Sequence, residues 1–304
     1  MEDNLDQDIE KKLVLEPSVE DGPTPHPDEA DSKPFSDFWT SGKQPPIAAM
    51  PIHRDSDVYN MKHKERGKAV IFNNKEFKLS NLGKRNGTDE DRDRLRESLK
   101  SLGFDVCVYN DPTKRQVFDV IDKLAADDHS DRDCLVVAVF SHGDKNLIHA
   151  FDDDYKPNRL WDAFDANVCP TLAGKPKMFF IQACQGDQLD SGTTMIQHAK
   201  TMVDSAAASQ MEYRIPNKAD FLLVNSTFPG YYSWRNTTQG SWFIQALCEV
   251  LDQHSSKRDF LSMLTIVIRK VAFNFESCVP GSHMHGKKQI PLITSTLTRD
   301  INFF

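Results

Sequence analysis

The sequence predicts an α/β protein, and three observations carry the prediction. Short apolar runs alternate with amphipathic stretches from residue 68 to residue 297. One run, residues 134–140, is apolar throughout, as in a strand covered on both faces. Hydrophobic residues make up 39% of the 304, enough for a sizeable core and too many for wholesale disorder.

The elements follow in order. Residues 1–50 stand apart: five prolines and many acids between Pro17 and Pro34 leave no periodicity, which predicts a disordered tail. Its aromatic piece, Phe35-Ser36-Asp37-Phe38-Trp39, reads equally as a docking patch or a solvated one. Residues 68–72 (KAVIF) predict a strand. Residues 90–103 predict a helix with Leu95, Leu99 and Leu102 on one face, stopped by Gly103. A strand over 104–109 and a helix over 113–126, with Val117, Val120, Ile121 and Leu124 inward, come next. Strands follow over 134–140, 178–183 and 221–224, then helices over 241–251 and 259–275, and a last strand over 290–297. Residues 186–212 interrupt this rhythm with 27 Gly-, Asp-, Ser- and Ala-rich positions between two buried strands; so long a loop in a compact domain points to function or a linker.

Composition narrows the class. The net charge is −8, from 37 bases and 45 acids, which argues against nucleic acid or an anionic membrane surface as partner. No apolar run approaches the roughly 18 residues of a membrane span, and the opening MEDNLDQDIE is the opposite of a signal peptide. Six cysteines without CxxC spacing read as free thiols in a reducing compartment, so a soluble cytoplasmic protein is expected.

Two apolar strands end in reactive polar residues: Ser141-His142-Gly143 after the first, Gln182-Ala183-Cys184-Gln185-Gly186 after the second. Sites in open α/β sheets lie beyond the carboxyl ends of strands, so neighbouring strands would bring His142 and Cys184 into one crevice. A thiol near a histidine can ionise to the reactive thiolate, and the imidazolium can then protonate a leaving amine. The backbone N–H groups of Gly143 and Cys184 would serve a developing oxyanion. Either residue alone in a buried strand reads as core filling; their shared placement argues for chemistry. His283 and His285 resemble a metal pair without a third ligand, so neither a metal nor a cofactor is expected.

Gln182-Ala-Cys184-Gln-Gly186 matches the signature of the caspase family, with His142 lying 42 residues upstream. The resemblance extends to KRNGTD (84–89), SHGD (141–144), AGKPKMFFIQACQGD (173–187), ADFLLVNSTFPGYYSWRNTTQGSWF (219–243) and KKQIPLITSTLT (287–298). It covers most of residues 58–304, and the chain resembles effector (executioner) caspases, insect members above all. It implies a three-layer sandwich around a six-stranded, mainly parallel sheet flanked by helices. The implied activity is a cysteine endopeptidase cutting after aspartate in DEVD-like sequences, with Cys184 as nucleophile and His142 as acid/base. A catalytically silent homologue acting as a scaffold is the alternative, and the presence of both catalytic residues and both arginines speaks against it.

A substrate aspartate must lose its water, which is costly unless fixed cationic donors replace it. By resemblance Arg85, Gln182 and Arg235 line that pocket, although read alone they are two surface arginines and a strand-end amide. Tyr232 and Trp234 would wall the adjacent pocket, with Ser233 in the same motif. Asn236 and Trp242 would shape the pocket for the residue four positions upstream of the cut, together with residues 275–280, where Cys278 and Pro280 replace the aromatics of vertebrate executioners. Asn146 stands where glycine is usual, and a backbone carbonyl near Gly83 would orient His142 in place of a third triad member.

The resemblance also implies a zymogen cut after Asp31 and Asp204, with Asp190 as the alternative to Asp204. This gives a propeptide (1–31), a large subunit (32–204) and a small subunit (205–304). Residues 1–31 hold eleven acids and two lysines, net −9, leaving 34 acids and 35 bases, net +1, for the remainder. The tail is too short for a death-fold recruitment domain, so an upstream initiator caspase is the expected activator. Cutting after Asp31 would expose Ser32-Lys33-Pro34-Phe35, which resembles the terminus read by inhibitor-of-apoptosis proteins. Two cleaved protomers would form a homodimer across residues 290–297.

Overall fold

The computed structural model describes residues 47–78, 82–192 and 215–304. In chain order come β1 (Glu65–Asn73), α1 (Thr88–Ser101), β2 (Asp105–Asn110), α2 (Lys114–Ala126) and β3 (Arg132–Phe140). Three short strands follow, β4 (Gly143–Asp144), β5 (Leu147–His149) and β6 (Asp154–Tyr155), then three 3-10 turns between Pro157 and Leu172. The rest is β7 (Lys177–Gln182), β8 (Phe221–Asn225), a hairpin of β9 (Arg235–Asn236) and β10 (Gly240–Ser241), α3 (Trp242–His254), α4 (Phe260–Asn274) and β11 (Leu292–Ser295).

Six strands form one sheet in the order β11-β8-β7-β3-β1-β2, parallel except for β11, which runs antiparallel to β8. Alternate residues of the central strands face opposite cores, which is why β3 is apolar from Cys134 to Phe140 and β7 from Met178 to Ile181. Ala69, Ile71, Val136, Ala138 and Phe180 pack under α1, α3 and α4. Val70, Phe72, Val137, Val139 and Phe179 pack under α2 and the 3-10 segment. The result is the predicted three-layer sandwich.

Local chemistry explains the element ends. Leu95 and Leu99 bury as predicted, and Gly103 (φ 90°) closes α1 through Gly103 N–H to Lys100 O (2.9 Å) and Phe104 N–H to Leu99 O (3.1 Å). Thr113 caps α2 reciprocally with Gln116, and Asp259 accepts from Ser262 N–H at the start of α4.

The short strands β4–β6, the 3-10 turns and the β9–β10 hairpin escape sequence reading, because two- and three-residue strands are too brief to show a period. The last strand is shorter than predicted, Leu292–Ser295 within 290–297. Residues 1–46 of the predicted tail, with its aromatic piece and Asp31, and Asp204 lie outside the described residues. No helix among the described residues is long and apolar enough to cross a membrane.

Candidate active site

The register of two strands brings the reactive pair together. Phe140 of β3 lies opposite Gln182 of β7, and His142 and Cys184 each follow two residues beyond that pair. The two chain ends press closely: a Cβ on Gly143 would lie 2.5 Å from Cys184 O and 3.0 Å from Ala183 Cβ, so only glycine fits there.

His142 Nε2 lies 2.7 Å from Gly83 O. A carbonyl only accepts, so Nε2 carries the hydrogen and the Nδ1 lone pair is left to take a proton. Phe77 covers the ring at a centroid distance of 4.9 Å. Burial pushes His142 down to about 4, against the Gly83 carbonyl and with the charges of Arg85 and Arg235. Burial pushes the Cys184 thiol up, although Ser233 N–H (3.4 Å from Sγ) and both arginines draw it down. Burial thus favours the uncharged forms of the resting pair, thiol and imidazole, so the proton must move as the substrate reacts.

A backbone donor lies beside them. His149 N–H bonds His142 O (3.0 Å), so in the antiparallel β4–β5 ladder the next pair, Gly143 and Ile148, is a non-hydrogen-bonded one. The Gly143 N–H thus points off the open edge of β4, the outer strand of its sheet. Asn146 turns the hairpin at φ 56°, the left-handed conformation that glycine or asparagine adopts, which accounts for that departure from the family.

Arg85 is 1% exposed, not a surface arginine as it reads alone. It donates from one Nη to Asn74 O (3.0 Å) and Thr88 Oγ1 (2.7 Å), while its buried Nε has no partner among the described residues. Burial first, and the neighbouring charge of Arg235 second, lower it to about 9. Arg235, half-buried, donates Nε to Asn86 O (2.8 Å). Gln182 donates Nε2 to Ser233 Oγ (2.7 Å), Ser233 Oγ donates to Ser226 Oγ (2.8 Å), and Gln182 Oε1 has no partner among the described residues. Two guanidiniums whose charges act on each other, one of them with a buried donor unpartnered among the described residues, are equipped to hold an anion.

The aromatics stand in a row: Tyr232 to Trp234 at 6.4 Å, Trp234 stacked on Trp242 at 5.7 Å, and Trp242 stacked on Phe275 at 5.5 Å. Asn236 spends its side-chain oxygen on Thr238 and Gln239 N–H, leaving its amide hydrogens for a ligand. Sequence reasoning missed Gln289, whose Oε1 accepts from Trp234 N–H (2.6 Å) and whose Nε2 donates to Ser226 O (2.6 Å), tying the aromatic segment to β8. Its place in KKQIP was a signal without a role. It also missed Phe77 and Asp91. His285 Nδ1 accepts from Val279 N–H, and no three metal-ligating side chains converge among the described residues.

Comparison with known proteins decides the family. The caspase domain model matches residues 66–302. The chain belongs to the caspase family. It is 51% identical to Caspase-1 of Spodoptera frugiperda over 84% of its own length and 85% of that protein. It is 49% identical to Caspase drICE of Drosophila melanogaster over 84% and 75%, and 42% identical to Caspase-3 of Mus musculus over 83% and 89%. The crystal structure of Caspase-1 from Spodoptera frugiperda superposes with a TM-score of 0.79, covering 84% of this chain and 99% of that one. The chain is thus a caspase of the effector kind, an aspartate-specific cysteine endopeptidase.

Proposed function

We propose that this caspase cuts DEVD-like sequences as an apoptotic executioner, with the residues above in definite roles. The observation that carries the reading is the buried Arg85 with its unused Nε beside Arg235, set next to the His142–Cys184 pair. The substrate aspartate lies between the two guanidiniums and Gln182, the residue before it lies against Tyr232 and Trp234, and the residue four positions upstream of the cut meets Asn236, Trp242 and Phe275. As the Cys184 sulfur bonds the scissile carbonyl carbon, the thiol proton passes to His142 Nδ1 and the carbonyl electron pair moves onto oxygen, facing the Gly143 and Cys184 N–H groups. The imidazolium then gives that proton to the leaving amine nitrogen as the C–N bond breaks. Water, deprotonated by His142, attacks the thioester and restores the thiol, releasing a new aspartate carboxylate. The Gly83 carbonyl holds the tautomer throughout.

Activation by cleavage after Asp204 is favoured over Asp190, because Asp190 O accepts from Lys288 N–H (2.9 Å) and the chain there is bridged to Lys288, a poor substrate conformation. Cleavage after Asp31, an upstream initiator caspase, inhibitor-of-apoptosis partners and a cytoplasmic location belong to the same reading. The edge position of β11 supports homodimerisation, since its outer backbone groups have no ladder partner among the described residues. The test is cleavage of a fluorogenic DEVD peptide by the processed chain: wild type should cleave it with or without chelator, and Cys184→Ala should not. Activity in Cys184→Ala, or its loss with chelator, would overturn the proposal.

A further inference from the structure

A carboxylate near the two arginines takes no part in the steps above. Asp91 belongs to the acidic start of α1, Asp89-Glu90-Asp91-Arg92-Asp93, where each acid reads alike as a solvated helix-start charge. The structure separates them. Asp89 pairs with Lys75 and Arg92, and Asp93 with Arg92 and Arg96, both half-exposed. Asp91 is 1% exposed and accepts two hydrogen bonds from one residue of the hairpin, Ser241 N–H on Oδ1 (2.7 Å) and Ser241 Oγ on Oδ2 (2.6 Å). Ser241 is the direct cross-strand partner of Arg235.

Other contacts clasp the same two segments. Arg235 Nε donates to Asn86 O. A Cβ on Gly87 would lie 2.6 Å from Asn236 O, and one on Gly240 would lie 2.5 Å from Asp91 Oδ1, so both glycines allow the close approach. Asp91 nevertheless makes no ion pair with Arg85 or Arg235: no oxygen of it comes within 4.0 Å of their nitrogens among the described residues. Its charge favours both guanidiniums without occupying the donors a substrate would use.

We propose that Asp91 is a positioning residue of the aspartate clamp, fixing Ser241 and thereby the placement of Arg235 beside Arg85. This rests on the reading of the two arginines as the substrate-aspartate site. The test uses the processed chain and a fluorogenic DEVD peptide, with wild type, Asp91→Asn and Ser241→Ala. Asp91→Asn should raise KM about tenfold, the loss of one charge-assisted bond, with kcat within about threefold. Alkylation of Cys184 by iodoacetamide, which uses none of the clamp's hydrogen bonds and feels Arg235 only through its charge, should stay within about threefold of the wild-type rate, a result that mere loss of structure would not give. Ser241→Ala, which removes one of the two donors, should raise KM about threefold, and it decides the matter should Asp91→Asn fail to fold. An unchanged KM in the folded variants, or a parallel fall in kcat and alkylation, overturns the positioning role. Wild type that does not cut after aspartate would instead overturn the proposed function.

Discussion

Replacing Arg85 by lysine isolates what the clamp needs. The positive charge stays, but the planar fork is lost, and with it the Nε–H that has no partner among the described residues. The anchoring bonds to Asn74 O and Thr88 Oγ1 cannot both be kept by an ammonium that also reaches the substrate. One charge-assisted hydrogen bond to the substrate carboxylate is worth about 1.5–3 kcal/mol, which corresponds to about 10- to 150-fold in kcat/KM. The assay compares two fluorogenic peptides that differ only in Asp or Asn before the cut. The loss should fall on the Asp peptide, so the Asp/Asn preference should shrink by the same factor. A kcat/KM within twofold of wild type, or an unchanged preference, would refute the argument that the buried guanidinium reads the carboxylate.

Three further outcomes follow from the same geometry. Gly143→Ala should lower kcat by about 100-fold, because its Cβ would meet Cys184 O at 2.5 Å and displace the oxyanion donor; circular dichroism should show the fold retained. The Cys184 thiol is pushed above its ordinary value while His142 is pushed down to about 4, so iodoacetamide should label Cys184 about tenfold faster per pH unit between roughly pH 6 and 8; a plateau by pH 7, read by mass spectrometry, would mean a resting thiolate. Phe275→Ala removes the ring stacked on Trp242 and should cut discrimination four positions upstream of the cut by about two- to tenfold, measured with paired peptides.

The sheet was legible because its strands are written in unbroken apolar runs such as residues 134–140, and α1 and α2 because leucines and valines recur at helical spacing. The reactive pair was legible because both residues end such strands in the same way, and the register of Phe140 with Gln182 turns that likeness into proximity. The clamp was not legible from physics: Arg85 is a charge in a polar stretch until the fold buries it, and only family resemblance singled it out. Asp91 is hidden by its neighbours, since what distinguishes it from Asp89 and Asp93 is a hairpin 150 residues away in the sequence. The resting protonation of the pair was likewise out of reach, because burial decides it and burial is a property of the closed site.

The most direct measurement takes four peptides identical except for Asp, Asn, Glu or Ala at one position, with products identified by mass after incubation with the processed chain. The account predicts a single cut after Asp by wild type, little or none with the other three, and no cut by Cys184→Ala. Comparable cutting of the Asn or Ala peptide, or products that persist in Cys184→Ala, would contradict it.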